Sequence, residues 1–103
     1  METFGQYIRQ LREKNKMPLR KLAAYLDIDQ STLSKIERNE RLPTKEMVPI
    51  LADVFGLNYK KLKIRFLSEK ITYDLVAEDY GVEALKVAEK QIKYLKSQEA
   101  NGV

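Results

Sequence analysis

From Phe4 onward the hydrophobic positions recur every three or four residues, the period of an amphipathic helix. Phe4, Tyr7, Ile8 and Leu11 form the first stripe. Thr3, with Gln6 three residues later, supplies a capping-box start, and the helix should fade near residues 15–17. Pro18 suits the first position of a second helix, about Leu19–Leu26, with Leu19, Leu22, Ala23 and Leu26 facing inward. Asp27 and Ile28 form a turn in which Asp27 can take the left-handed conformation. Asp29 is expected to cap a third helix, about Gln30–Arg38, by accepting backbone N–H bonds, and Asn39 to close it. A fourth helix should run from a Thr44 cap to Phe55 and stop at Gly56, burying Met47, Ile50, Leu51, Val54 and Phe55. Within it Pro49 predicts a late start or a kink.

Asn58 should cap a fifth helix that starts near Tyr59, carries Leu62 and Phe66 inward and continues to about Val76. Residues 78–81 form the one convincing break in the second half. A last helix is then expected over about Val82–Ser97, with residues 98–103 frayed. Its Leu85, Ala88, Ile92 and Leu95 follow the narrow seam spacing of coiled coils. The chain is therefore read as all-α, a bundle of five helices followed by a helical extension.

A length of 103 residues suits one domain with a short appendage, and 44% hydrophobic residues suffice for a modest core. The chain has no Cys and no His, so disulfides, thiolate metal sites and the usual general base are ruled out. No metal-ligand spacing or glycine-rich phosphate loop is present, and no cofactor is expected. Ser31, Ser34 and Lys35 fall on an exposed helix face with nothing to depress a lysine pKa, which argues against a Ser–Lys dyad and against an enzyme. No apolar run approaches about 18 residues and nothing resembles a signal peptide, so a cytoplasmic location without membrane contact is expected. Charge is unevenly spread. Residues 1–65 hold 14 Lys/Arg against 8 Asp/Glu, whereas residues 66–103 hold 5 against 7. A basic front part is what a phosphate-binding module needs.

At about 100° per residue, Leu33, Ile36 and Glu37 share one side of the third helix. Ser31, Ser34, Lys35 and Arg38 occupy the other, and Gln30 sits in the first turn and points past the helix end. Two helices joined by a tight turn, the second apolar inside and polar outside, match a helix-turn-helix. In that motif the second helix enters the major groove. Gln suits adenine, Lys or Arg suits guanine, and Ser serves either. No carboxylate lies on this outer face to repel phosphates.

The stretches FGQYIRQLREKNKMPLRKLAAYLDI, DQSTLSKIERNERLPT and VPILADVFGLNYKKL resemble the Xre/Cro-type helix-turn-helix regulators, over about residues 4–67. The resemblance implies a compact five-helix bundle that acts as a homodimer on palindromic double-stranded DNA. It places base-reading positions at Gln30, Ser31 and Lys35, flanked by Ser34 and Arg38. Phosphate clamps fall on Arg20, Lys21, Arg41, Thr44 and Lys45. It also implies an ion pair between Arg12 and Glu37, which suits Glu37's place on the buried side, where a carboxylate needs a cation. Two positions depart from the pattern. Leu19 stands where the family often has a Gln that touches the DNA backbone, and Asp27 where it often has Gly.

Residues 1–67 are thus expected to form the DNA-binding domain. Residues 68–103 are expected to form an extension that dimerises through Phe66, Ile71, Leu75, Leu85, Ala88, Ile92 and Leu95. The extension resembles that of regulators found beside DNA methyltransferases, the restriction–modification controllers. An antitoxin that masks a toxin with its C-terminal segment is an alternative, and so is an interaction adaptor that reads no DNA. Lys86, Lys90, Lys93 and Lys96 are read as a solvated face.

Overall fold

A computed structural model describes residues 1–101, and these form six α-helices with no strand among them. They are α1 (Phe4–Lys14), α2 (Leu19–Leu26), α3 (Gln30–Glu37), α4 (Met47–Phe55), α5 (Tyr59–Leu75) and α6 (Gly81–Asn101). The chain divides into two compact units, one ending at Glu69 and the next starting at Lys70.

In the first unit α1 begins with the expected capping box. The Gln6 N–H donates to Thr3 Oγ1 at 3.0 Å, and the Thr3 N–H donates to Gln6 Oε1 at 2.8 Å. The next N–H, that of Phe4, donates to Glu69 Oε2 at 2.8 Å, so α5 helps to satisfy the start of α1. Asn58 caps α5 as expected, its Oδ1 accepting the Lys61 N–H at 2.9 Å.

α1 to α4 end in the same way. After each, one residue takes the left-handed conformation: Lys16 (φ 52), Asp27 (φ 54), Asn39 (φ 62) and Gly56 (φ 62). The following N–H then reaches back five residues: Met17 to Arg12, Ile28 to Ala23, Glu40 to Lys35 and Leu57 to Ala52, at 2.8–3.0 Å. These are Schellman closures, and only the fourth uses glycine. A left-handed lysine costs about 1–2 kcal/mol. Lys16→Gly should therefore raise stability by about 0.5–1 kcal/mol after the extra entropy of an unfolded glycine is deducted, seen as a higher melting temperature.

The core draws on five helices: Phe4 and Ile8; Leu22, Ala23 and Leu26; Leu33 and Ile36; Met47, Val48, Leu51 and Ala52; Leu62 and Phe66. Phe4 and Phe66 meet edge-to-face with ring centroids 5.8 Å apart. Phe66, 7% exposed, is therefore core and is lost to any dimer surface. Its helical period required it to face inward but did not say which apolar surface it would meet.

Several boundaries differ from expectation. α4 starts at Met47 with Glu46 at its cap position, so Thr44 lies ahead of the helix and does not cap it. Of the two outcomes expected at Pro49 the late start is the one found: Pro49 is third in the helix, where an N–H has no intrahelical partner anyway, and no kink is needed. Val48 and Ala52 are buried, whereas Ile50, Val54 and Phe55 are half-buried. α4 is apolar over most of its circumference, so periodicity could not select its inner face. Pro18 occupies the position before α2 rather than its first helical position, and makes no side-chain cap bond.

In the second unit the break starts at Val76 and α6 is longer than expected at both ends. Gln98, Glu99 and Ala100 are good helix formers and extend it to Asn101. Of the stretch expected to fray, residues 98–101 are helical, and 102–103 lie outside the described residues. Gly81 opens α6 because a Cβ there would stand 2.6 Å from the Leu75 carbonyl oxygen.

Candidate nucleic-acid interface

The turn between α2 and α3 is built by Asp27, at φ 54 and ψ 47, and by Asp29, extended at φ −68 and ψ 150. Asp27 thus does the work that glycine would do more cheaply. Asp29 holds the cap position of α3, but its side chain makes no cap hydrogen bond, contrary to expectation. Its contribution is the extended backbone that redirects the chain.

Three residues seat α3. Leu33 and Ile36 are 0% and 3% exposed, and Glu37 is the one buried charged residue among those described, at 5%. Gln30, Ser31, Lys35 and Arg38 are exposed on the other side, and Ser34 is half-buried. Arg20 and Lys21, in the first turn of α2, are exposed, as are Arg41 in the loop after α3 and Thr44 and Lys45 ahead of α4. Leu19 is half-buried against the core, so α2 first offers a polar side chain at Arg20.

Glu37 is held by a two-pronged pair with Arg12. Arg12 Nε donates to Glu37 Oε2 at 2.7 Å, and a terminal guanidinium nitrogen donates to Oε1 at 2.9 Å. The other terminal nitrogen donates to the Met17 carbonyl at 3.0 Å, tying in the turn after α1. The hydrogen bond to Glu37 raises the Arg12 pKa above its already high ordinary value, so the guanidinium stays charged at any working pH. Both side chains are nearly dry, which makes the pair an alignment device whose halves depend on each other.

A second contact lies at the same end of α3. Gly5 is buried, and a Cβ on it would fall 1.9 Å from the Ile36 carbonyl oxygen and 3.3 Å from the Glu37 Cα. The backbones of α1 and α3 therefore touch, which only glycine permits. Gly5 carried no expectation from the sequence. The available signal was a lone glycine inside an apolar helical stripe.

Beyond the helix end, Arg38 Nε pairs with Glu40 Oε2 at 2.7 Å, both half in solvent. The outer face of α3 itself carries no carboxylate, so the charge it presents is cationic, from Lys35, with Arg38 just past its end balanced by Glu40. Among the described residues no helix is long and apolar enough to cross a membrane.

The helix-turn-helix family model matches residues 8–62, which include the whole α2–α3 unit. Two curated proteins of Bacillus subtilis (strain 168) are similar over 63 residues, 60% of this chain. They are the uncharacterized HTH-type transcriptional regulator RghRB, 38% identical with 45% of its length covered, and the HTH-type transcriptional repressor RghR, 33% identical with 47% covered. The chain matches about half the length of these relatives. No solved structure gives a significant match.

Proposed function

The chain belongs to the helix-turn-helix family, and from that membership we propose that it is a sequence-specific DNA-binding transcriptional repressor acting as a homodimer on a palindromic operator. The observation that carries this reading is the outer face of α3. Its polar, carboxylate-free residues stand exposed while its inner face is fixed by Leu33, Ile36 and Glu37. In this reading α3 lies in the major groove. Gln30, Ser31 and Lys35 meet base edges, Ser34 and Arg38 flank them, and α3 of the second protomer reads a half-site about 34 Å away. Arg20, Lys21, Arg41, Thr44 and Lys45 hold phosphates and set the register. Repression is favoured by the name of one relative.

Residues up to about Glu69 form the reading domain, and the segment beyond them supplies dimerisation. A truncation that tests this division should spare Glu69, whose carboxylate accepts the Phe4 N–H. The exposed apolar residues of α6 also suit a protein partner such as a toxin. That reading predicts that the truncated protein stays dimeric.

Base readers and phosphate clamps separate in a binding assay. Lys35→Ala should cost about 1–3 kcal/mol on the best site and relax its base preference. Lys45→Ala should weaken all sequences alike and make the slope of log K against log salt shallower by about 0.9. Wild-type protein selected on random duplexes should enrich a palindrome. If it enriches no sequence and its binding does not respond to salt, the DNA-binding reading fails.

A further inference from the structure

Leu85, Ile92 and Leu95 on α6 are 44%, 53% and 59% exposed, and Ala88 is half-buried. Their spacing puts Leu85 and Ile92 at heptad position a, and Ala88 and Leu95 at d. The flanking e positions are then Val82, Glu89 and Lys96, and the g positions are Ala84, Gln91 and Gln98. Lys86, Lys90 and Lys93 fall on the outer side, from which Lys93 reaches the flanking Glu89 at 3.1 Å.

We propose that α6 pairs with α6 of a second copy of this chain as a parallel, in-register, two-stranded coiled coil. This rests on the homodimer reading and gives it an interface. A β-branched Ile92 at a followed by Leu95 at d favours two strands over three or four. In the parallel register each g residue faces an e residue of the other copy. Ala84 then meets Glu89 and Gln91 meets Lys96, so no like charges are opposed along the seam. The antiparallel register that matches Leu85 with Leu95 and Ala88 with Ile92 crosses near Lys90 and sets each Glu89 beside its own copy. It therefore opposes two carboxylates at its centre, whose repulsion the exposed Lys93 of each copy offsets only in part. In the parallel pair the only opposed carboxylates are those of Glu99, the next a position. They lie at the frayable end, so the seam closes at Gln98. An occupant of opposite net charge is not required, because seam positions 85–95 carry no charge.

The chain contains no cysteine, so single cysteines report geometry without background. Under mild oxidation full-length Ala88→Cys should convert largely to a covalent dimer, while Lys90→Cys, on the outer face, should not. Ile92→Lys should weaken self-association roughly a hundredfold in sedimentation. Cross-linking confined to a mixture of Leu85→Cys and Leu95→Cys proteins would establish the antiparallel arrangement and overturn the proposal. So would a wild-type dimer that neither cross-links at Ala88→Cys nor responds to Ile92→Lys, and the homodimer reading would survive. A wild-type protein that sediments as a monomer at tens of micromolar defeats both.

Discussion

Gly5→Ala is expected to cost about 3 kcal/mol or more, the upper end of the overpacking range. The added methyl would sit 1.9 Å from the Ile36 carbonyl oxygen, a backbone atom in the last turn of α3. Neither partner can yield by rotating a side chain, so α1 and α3 must separate. The helix-propensity gain of alanine over glycine, about 1 kcal/mol, falls short of the clash. In a domain of this size the loss should lower the melting temperature by more than about 10 °C. Gly56→Ala is the natural contrast. Its Cβ would meet nothing within 4 Å, and the strain arises only from its φ of 62°. It should cost about 1–2 kcal/mol. Equal losses at the two positions would mean that backbone contact between α1 and α3 is not what limits stability.

Glu37→Ala should cost about 3 kcal/mol, the lower end for breaking a buried pair, because the partly buried Arg12 is left without its main counter-charge. Converting both partners to apolar residues of similar volume, as in Arg12→Met with Glu37→Leu, should recover most of that loss. The single and double variants together then separate the value of the pair from the penalty of breaking it. A melting temperature unchanged in Glu37→Ala would show that solvent reaches Arg12 and that the pair is decorative. If the double variant regains stability but not operator affinity, the two-pronged geometry serves to aim α3 rather than to hold the domain together.

What was legible in the sequence follows from which forces are local. The inner face of α3 came from rotation alone, because eight residues with only two aliphatic members leave one solution. The left-handed Asp27 and the capping box at Thr3 were likewise decided by residues within a turn of each other. Gly5 was not legible, since the atom that forbids a side chain there is the carbonyl of Ile36, 31 positions away. Phe66 was assigned to two surfaces, and only its contact with Phe4 separates them. The start of α4 depended on where backbone N–H groups could go unpaired, which placed Pro49 in the first turn rather than at a kink.

The anchorage of α3 has a consequence for how such a protein changes over time. Everything that fixes the helix acts on its rear or on its last turn, through Leu33, Ile36, Glu37 and the backbone beside Gly5. Gln30, Ser31 and Lys35 contribute nothing to that anchorage, so exchanging them should shift stability by no more than about 0.5 kcal/mol. If those three residues read bases as proposed, target choice and foldedness are separately mutable. On that reading a lineage could drift to a new operator, or a laboratory could rewrite one, without first acquiring a compensating change in the core.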